Sequence, residues 1–463
     1  LSTAIMERAM LHIDNAYYMP HILITGTVCR TNSASNTAFR GFGGPKGVLT
    51  IENIIEDIAV TLGLDSYTVR ERNVYQSDTR NVTPYGQQIN DNILPSLFSK
   101  LKEACDYNQR RGLIKQHNQG GHTTVRGMAA TAVKFGISFT TRFLNQGSAL
   151  VNLHMDGTVQ VSTGATEMGQ GVNIKIAQVV AETFGIQVQA VRVMPTSTEK
   201  NHNTSPTAAS SGSDINAGAA QIAALKIRKR LALVADQVLK RSSELRGRPV
   251  AGAGTAAEII IDEMATEPDF VFNEGKVYPA GKPQLAIQLP DLIEEAYLNR
   301  VSLGDYGFFR YEGIHFNKET GKGKPFFYYT NGVACSEVSV DRYTGEMKVL
   351  RTDLMMDLGR PISQGIDEGQ VRGAFMQGLG RATTENLYYA DNGALLSHSP
   401  STYKIPSIHD IPRVFNLSFL EDSPHQKNVR GSKAVGEPPL LLGLSVWAAA
   451  KDAVRSARGG GAL

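Results

Sequence analysis

The chain has 463 residues, of which 41% are hydrophobic and 20% charged, and this composition is typical of a globular protein with two or more domains. Its formal net charge of +3 is small for this length, so no broad basic surface for nucleic acid is predicted. No apolar run is long enough to span a membrane, and the N-terminus lacks the pattern of a signal peptide.

The cysteines also limit the possible functions. Cys29, Cys105 and Cys335 lie far apart and form no C-x-x-C pair. This spacing argues against a disulfide framework, a structural zinc site and an iron–sulfur cluster held by this chain. A reducing, cytoplasmic location is therefore expected.

The N-terminal stretch predicts a helix, a strand, a glycine-rich turn and a second helix. Apolar residues from Ile5 to Ile13 share one helix face, so the chain starts inside an element and we expect it to be the C-terminal part of something longer. Ile22 to Val28 predicts a strand that leads into the turn Thr37 to Pro45. The next helix spans Val48 to Leu62 and ends at Gly63. The turn fits neither G-x-G-x-x-G nor the P-loop motif, which excludes the usual nucleotide sites.

Two linkers and a hairpin are predicted in the middle of the chain. Gln116 to Thr124 and Arg246 to Ala256 have the composition of linkers. Between them, Leu150 to Met155 and Thr158 to Thr163 flank an Asp-Gly pair, which predicts a β-hairpin. The hairpin leads into a second glycine-rich turn, Gly164 to Gly171, and then into a helix.

Further along, Asn203 to Gly212 places small residues ahead of a long helix. Such a segment suits either an anion site or a plain loop with a helix N-cap. A second hairpin is predicted from Ala334 to Val340 and Met347 to Thr352. Gln370 to Gly378 predicts a glycine-studded helix that packs closely against a neighbour or a cofactor.

Near the C-terminus, Glu437 is a single carboxylate between apolar residues and two prolines. Pro438 and Pro439 have no N–H, so they open a predicted helix, Leu440 to about Arg458, without offering Glu437 the usual capping donors. An acidic residue in the first turn of a surface helix is the common alternative. Because this helix is too apolar for a surface position, Glu437 is a candidate general base.

Taken together, five segments resemble the molybdenum-binding part of the xanthine dehydrogenase and aldehyde oxidase family, and the resemblance covers almost the whole chain. The implied fold is α+β, with residues 1–85 as the remainder of a first molybdenum-cofactor-binding domain, residues 86–463 as a second, and the cofactor between them. The five segments are Phe39 to Pro45, Glu167 to Gly171, Ser205 to Ser210, Gln370 to Gly378, and Gly436 to Leu440.

The resemblance also implies the cofactors and the reaction. The molybdenum is held by the dithiolene of a pyranopterin, so no protein metal ligands are expected, and a [2Fe–2S] cluster and FAD are expected on other domains or a subunit. The implied reaction is hydroxylation of hypoxanthine or xanthine to urate, with water as the oxygen source. Glu437 is implied to be the base that deprotonates the Mo–OH group. A homodimer or heterotetramer is implied as the assembly.

Site residues follow from the same resemblance. Phe42 and Phe139 are implied to hold a flat substrate, Thr140 to donate a hydrogen bond to it, and Arg8 to stabilise negative charge on a purine. Gln170 is implied to bond the apical oxo group of the metal. The cofactor cradle is implied to consist of Arg40, Gly41, Phe42, Gly43, Ala208, Ala209 and Gln370.

Two alternatives remain open at this point. Aldehyde or other N-heterocycle oxidation belongs to the same family, and Arg8 discriminates because aldehyde oxidases generally lack an arginine there. A non-catalytic, truncated scaffold that only binds partner subunits is the other alternative, and the presence of Glu437 with both phenylalanines argues against it. The sequence does not distinguish NAD from oxygen as the final electron acceptor.

Overall fold

A computed structural model describes residues 1–245, 259–421, 423, 425 and 428–458. They form two compact units, each described here by itself. Unit 1 comprises Leu1–Thr140, Gly313–His425 and Gly431–Leu463, and unit 2 comprises Thr141–Glu312 with Gln426–Arg430, as far as these ranges are described. Unit 1 is thus built from separate stretches of sequence. The predicted domain boundary at residues 85 and 86 stays a prediction.

Helices and strands are mixed throughout, which confirms the predicted α+β class. The helices are α1 (Ser2–Met10), α2 (Gly44–Leu62), α3 (Ser66–Asn73), α4 (Leu94–Ala104), α5 (Tyr107–Gln119), α6 (Val172–Phe184), α7 (Gly212–Leu245), α8 (Leu289–Leu298), α9 (Gln364–Thr383), α10 (Pro438–Leu441) and α11 (Leu444–Ala457). The strands are β1 (Thr124–Ile137), β2 (Gln146–Leu153), β3 (Val159–Thr163), β4 (Val191–Val193), β5 (Phe270–Asn273), β6 (Lys276–Pro279), β7 (Ile287–Gln288), β8 (Gly304–Arg310), β9 (His315–Asn317), β10 (Lys322–Lys324), β11 (Tyr328–Asp341), β12 (Met347–Asp357) and β13 (Val414–Phe419).

Unit 1 is organised around a four-stranded sheet in the order β1-β11-β12-β13, in which only the β12/β13 pair is parallel. Both faces of the sheet are buried. On β1, Met128, Ala130 and Ala132 belong to the core shared with α4 and α5, while Ala129 and Val133 belong to the core shared with α9, α10 and α11. This alternation is the period of two that places successive side chains on opposite faces. The sheet therefore positions helices against both of its faces.

Unit 2 contains a four-stranded sheet in the order β4-β3-β2-β8 and a three-stranded sheet in the order β5-β6-β7. Its β2 and β3 form the antiparallel hairpin predicted around Asp156-Gly157. The second predicted hairpin is also confirmed, as β11 and β12 of unit 1. Period-two patterns next to turn residues thus gave reliable strand predictions.

Some local predictions were wrong. Ile22 to Val28 is not a strand, because this stretch runs along α1, where a side chain at Gly26 would overlap Met6 and Met10, and it has no neighbouring strand to pair with. Most of the linker predicted from Gln116 to Thr124 is helical, since α5 continues to Gln119. The other predicted linker, Arg246 to Ala256, lies outside the described residues.

The helix predicted after Glu437 is two helices, α10 and α11. Gly443 lies between them and is so close to the backbone of Gly378 in α9 that a side chain at either position would overlap. Close packing of this kind was predicted for the glycine-studded helix that forms α9. The contact fixes α10, and with it the residue before α10, relative to α9.

Candidate functional site

Glu437 lies directly before α10 in unit 1. Only 9% of its surface is exposed. The main-chain N–H of Gly41 donates a hydrogen bond to its Oε1 at 3.1 Å. A buried carboxylate is costly unless donors and cations surround it.

Arg40 connects Glu437 to the rest of the site. Its Nε donates to the carbonyl oxygen of Gly436, its Nη2 to Oε1 of Gln370 at 3.0 Å, and its Nη1 to Oε1 of Gln377 at 3.3 Å. Burial lowers the pKa of the Arg40 guanidinium, and the charge of Glu437 acts in the opposite direction. One side chain therefore ties together the glycine-rich turn, α9 and the residue before Glu437.

The turn after Arg40 has a strained backbone. Gly41, Phe42 and Gly43 have φ values of 95°, 46° and 106°. A left-handed conformation is unusual for a bulky residue such as Phe42 and costs about 1–3 kcal/mol, and strain of this kind clusters at functional sites. At Gly43 a side chain would overlap the carbonyl oxygen of Ile5, so α1 lies directly against the turn.

Arg8, on α1, is buried in unit 1. Its Nη1 donates to the carbonyl oxygen of Ser138 at 2.8 Å and its Nη2 to that of Gly136. The guanidinium lies 4.7 Å from the ring centre of Phe135 and 4.8 Å from that of Phe326. Desolvation lowers the pKa of Arg8, and the charge of Glu437 raises it. Arg8 is thus a second cation in the field of Glu437, held by backbone and aromatic groups.

Phe139 and Thr140 follow β1 and are half-buried. The Thr140 hydroxyl donates to Oε1 of Glu7 at 2.6 Å, and Glu7 also pairs with Lys318 at 2.9 Å. The hydrogen bond that Thr140 is predicted to donate to a substrate therefore requires its hydroxyl to leave Glu7.

The segment before Glu437 has an anchor that the sequence did not reveal. Lys433 forms a buried ion pair with Asp357. Both main-chain polar groups of Ala434 are hydrogen-bonded. Its N–H donates to the hydroxyl of Tyr328 at 2.8 Å, and its carbonyl accepts from Thr330 at 2.9 Å. These partners lie 76 to 106 residues apart in sequence, so no local motif could identify them.

In unit 2, Gln170 lies in the glycine-rich turn before α6. Its side chain folds back on the turn, where Nε2 donates to the carbonyl of Thr166 at 2.8 Å and Oε1 accepts from the N–H of Met168 at 2.5 Å. Glu167 caps the helix, since its carboxylate accepts from the N–H groups of Gly169, Gly171 and Asn173 at 2.9–3.1 Å. These contacts are all local.

Ala208 and Ala209 lie in the loop before α7. Ala209 and Ser210 have φ values of 54° and 57°, a second left-handed pair of non-glycine residues. The loop adjoins the Gln170 turn, because the hydroxyl of Thr207 accepts from the N–H of Thr166 at 2.9 Å. Unit 2 therefore brings the predicted residues Gln170, Ala208 and Ala209 to neighbouring helix N-termini.

Comparison with known proteins identifies the family of this chain. Models of the molybdopterin cofactor-binding domain match residues 1–74 and 100–412. Xanthine dehydrogenase/oxidase from Gallus gallus is 41% identical over 458 residues, which are 99% of this chain and 30% of that protein. The chain belongs to the molybdenum-cofactor-binding domains of the xanthine dehydrogenase and aldehyde oxidase family. Xanthine dehydrogenase from Dictyostelium discoideum is 37% identical, again over 99% of this chain and 30% of its own length.

Solved structures show the same fold. Quinoline 2-oxidoreductase from Pseudomonas putida 86 matches with a TM-score of 0.81 at 22% identity, over 98% of this chain and 55% of that one. Aldehyde oxidoreductase from Desulfovibrio gigas matches with a TM-score of 0.76 at 22% identity, over 99% and 43%. The chain spans about 30% of the length of the curated relatives it matches.

Each unit has a loop whose main-chain N–H groups are available to a ligand. In unit 1 the N–H of Gly43, and in unit 2 the N–H groups of Ala208 and Ala209, have no acceptor among the described residues. Positive-φ turns beside helix N-termini direct such N–H groups into concavities that bind anions, as a phosphate-bearing pterin requires. The described parts of the chain contain no group of three or more His, Cys, Asp or Glu side chains that could hold a metal ion.

Proposed function

We propose that the protein containing this chain is a molybdenum hydroxylase that oxidises hypoxanthine or xanthine to urate, with Glu437 as the general base. The observation that carries the proposal is a buried carboxylate that accepts an N–H from Gly41 and lies in the field of both Arg8 and Arg40. A carboxyl group fixed in place by a hydrogen bond is a group of the kind that serves as a general base. The 41% identity to a xanthine dehydrogenase/oxidase supports the substrate class.

In this proposal the chain holds the substrate and moves one proton. When bound, a molybdenum pyranopterin supplies a water-derived oxygen and takes up the two electrons of the oxidation. Gly43, Ala208 and Ala209 offer main-chain donors to the cofactor, and Gln170 and Gln370 offer side-chain amides. Glu437 accepts a proton at a carboxylate oxygen as the substrate carbon is attacked.

The remaining residues act on the purine. Phe42 and Phe139 hold the flat ring, and Thr140 donates to it after leaving Glu7. Arg8 stabilises the negative charge that develops on the purine, since a preformed cation in a dry site acts most strongly on charge that appears in the transition state.

We further propose that electrons leave through [2Fe–2S] and FAD groups on other domains or a subunit, in a cytoplasmic homodimer or heterotetramer. The family relationship supports the partner groups. Two of the three thiols, Cys105 and Cys335, are free and buried in the core, as suits a reducing compartment. No helix in the described ranges is both long and apolar enough to cross a bilayer.

Glu437→Gln in the assembled enzyme tests the proposal. We expect xanthine turnover to fall by about 10³-fold or more with full molybdenum content, because removal of a general base costs about 10² to 10⁴ and this base also generates the nucleophile. The measurements are steady-state turnover of xanthine and molybdenum content. Glu346→Gln, at an exposed position of unit 1, is the matched control and should leave turnover unchanged.

Turnover within tenfold of wild type at full cofactor loading would exclude Glu437 as the base. An enzyme without activity on any purine, aldehyde or N-heterocycle, although fully loaded, would favour the scaffold alternative. Activity on aldehydes alone would favour the aldehyde-oxidising alternative.

A further inference from the structure

The arginines buried in unit 1 fall into two groups. Arg70 pairs with Glu52 and Glu56, and Arg110 pairs with Glu337 and Asp353. Arg40 forms no ion pair with any described carboxylate and donates only to neutral oxygens, which belong to Gly436, Gln370 and Gln377. A partly desolvated cation without a direct ion pair acts on the charges around it over a longer range.

The contact that carries the role of Arg40 is mechanical. Arg40 Nε donates to the carbonyl oxygen of Gly436, which belongs to the peptide unit that joins Gly436 to Glu437. Arg40 also lies in the field of Glu437, whose charge raises the pKa of Arg40 against the effect of burial.

We propose that the Arg40 side chain is a positioning residue for Glu437. It fixes the peptide unit before the carboxylate through its hydrogen bond to Gly436. The amide oxygens of Gln370 and Gln377 hold the other two nitrogens of the guanidinium, so α9 serves as the support. This inference rests on the proposed function of Glu437 as the base, and it concerns the side chain of a residue whose backbone is predicted to face the cofactor.

The guanidinium shape is required for this role. Its planar fork reaches three acceptors in three directions at once, which a lysine ammonium on a flexible stem cannot do in the same geometry. Lysine keeps the charge and loses the geometry, while methionine loses both. The two substitutions therefore separate electrostatic support from mechanical support.

The experiment uses the assembled enzyme with its partner domains and compares Arg40→Met, Arg40→Lys and Arg372→Met. Arg372 is the matched control because, like Arg40, it is a partly buried arginine of unit 1 that donates to a backbone carbonyl, in its case that of Phe415, whose ring it also stacks on. The measurements are molybdenum content, kcat and KM for xanthine.

For Arg40→Met we expect kcat to fall by about 10- to 100-fold, as for loss of one preorganised electrostatic contact, with KM changed by less than about threefold. Arg40→Lys should leave kcat equally low, because lysine keeps the charge and loses the three-way hydrogen bonding. Arg372→Met should change neither kcat nor KM.

A readout independent of turnover is the molybdenum content, which should be the same in Arg40→Met as in wild type. In addition, Arg40→Met should cause no further loss of kcat in the Glu437→Gln background, because a positioning residue acts only through its target.

Wild-type kcat in Arg40→Lys, independent losses in the double variant, or loss of molybdenum in parallel with activity would overturn the inference. The last result would make Arg40 a cofactor-binding residue only. If Glu437→Gln itself retains turnover, the proposed function fails first. If Glu437→Gln is inactive and Arg40→Met behaves like Arg372→Met, the positioning role alone fails.

Discussion

The glycine-rich turns of the two units are similar in sequence character but are held in different ways. In unit 1, Arg40 and Gly41 bond to Gly436, Glu437 and Gln370, which lie 330 to 396 residues away in the chain. In unit 2, the Gln170 side chain bonds only to Thr166 and Met168 of its own turn. Distant segments hold the Arg40 side chain of the first turn, whereas the Gln170 side chain is held within its own turn.

This difference predicts how easily the side chains of each turn can change conformation. A side chain held by neighbours in its own turn can rotate toward a ligand at the cost of about one or two hydrogen bonds. A side chain held by segments from several elements cannot move unless the fold moves. We therefore expect Gln170 to reorient when the cofactor binds, while Glu437 is already in place.

The largest effect on activity among these variants should come from Arg8, which lies in unit 1, where distant segments hold the site residues. Arg8→Met should lower kcat/KM for xanthine by about a hundredfold or more and leave a small aromatic aldehyde within a few fold, since charge on an aldehyde develops beside the metal. Steady-state kinetics on both substrates measure this. Equal losses on both would mean that Arg8, clamped between Phe135 and Phe326, supports the fold or cofactor instead.

The next effect tests the packing that holds Glu437. A side chain at Gly378 would overlap the carbonyl oxygen of Leu440, whereas one at Gly373, also on α9, has open space. Gly378→Ala should therefore lower the free energy of unfolding by about 2 kcal/mol through overpacking, and Gly373→Ala should raise it by about 0.5–1 kcal/mol through helix propensity. Chemical denaturation measures both. Similar results for the two variants would contradict the close contact between α9 and α10.

The smallest effect should come from the locally held turn of unit 2. Desolvation acts to raise the pKa of Glu167, but N–H donors from Asn173, Gly171 and Gly169 lower it overall. Because the pKa is lowered in the folded state, the ionised carboxylate stabilises the turn fully at pH values above its usual pKa of 4.5. This stabilisation is lost as the pH falls through the lowered pKa. Glu167→Gln should cost about 0.5 kcal/mol at neutral pH.

Hydrogen exchange is the sharper measurement for this variant. Faster exchange should be confined to residues 168–173, and it should resemble that of the wild-type turn at low pH. Glu182→Gln, at the other end of α6, is the control, since Glu182 is exposed and pairs with Arg430 at 2.9 Å. Faster exchange throughout unit 2 would show that the turn is tied to the wider fold.

Much of the fold could be predicted because its determinants are local. The two hairpins followed from alternating apolar residues around turn sequences, and α2 and α6 followed from helical periodicity with glycine at the end. The strand predicted at Ile22 to Val28 was wrong because a strand needs a partner, and the pattern does not show whether one is present.

The sequence by itself determined the family and the residue types of the site, because the five motifs are short and each keeps its own turn or helix. Only the tertiary structure decided what those side chains touch. It gave Arg8 two carbonyl acceptors and two aromatic rings, directed Thr140 to Glu7, and joined Arg40 to the residue before Glu437. Each of these contacts joins segments that lie more than 100 residues apart, and only the packing of the sheet and its helices brings such segments within hydrogen-bonding distance.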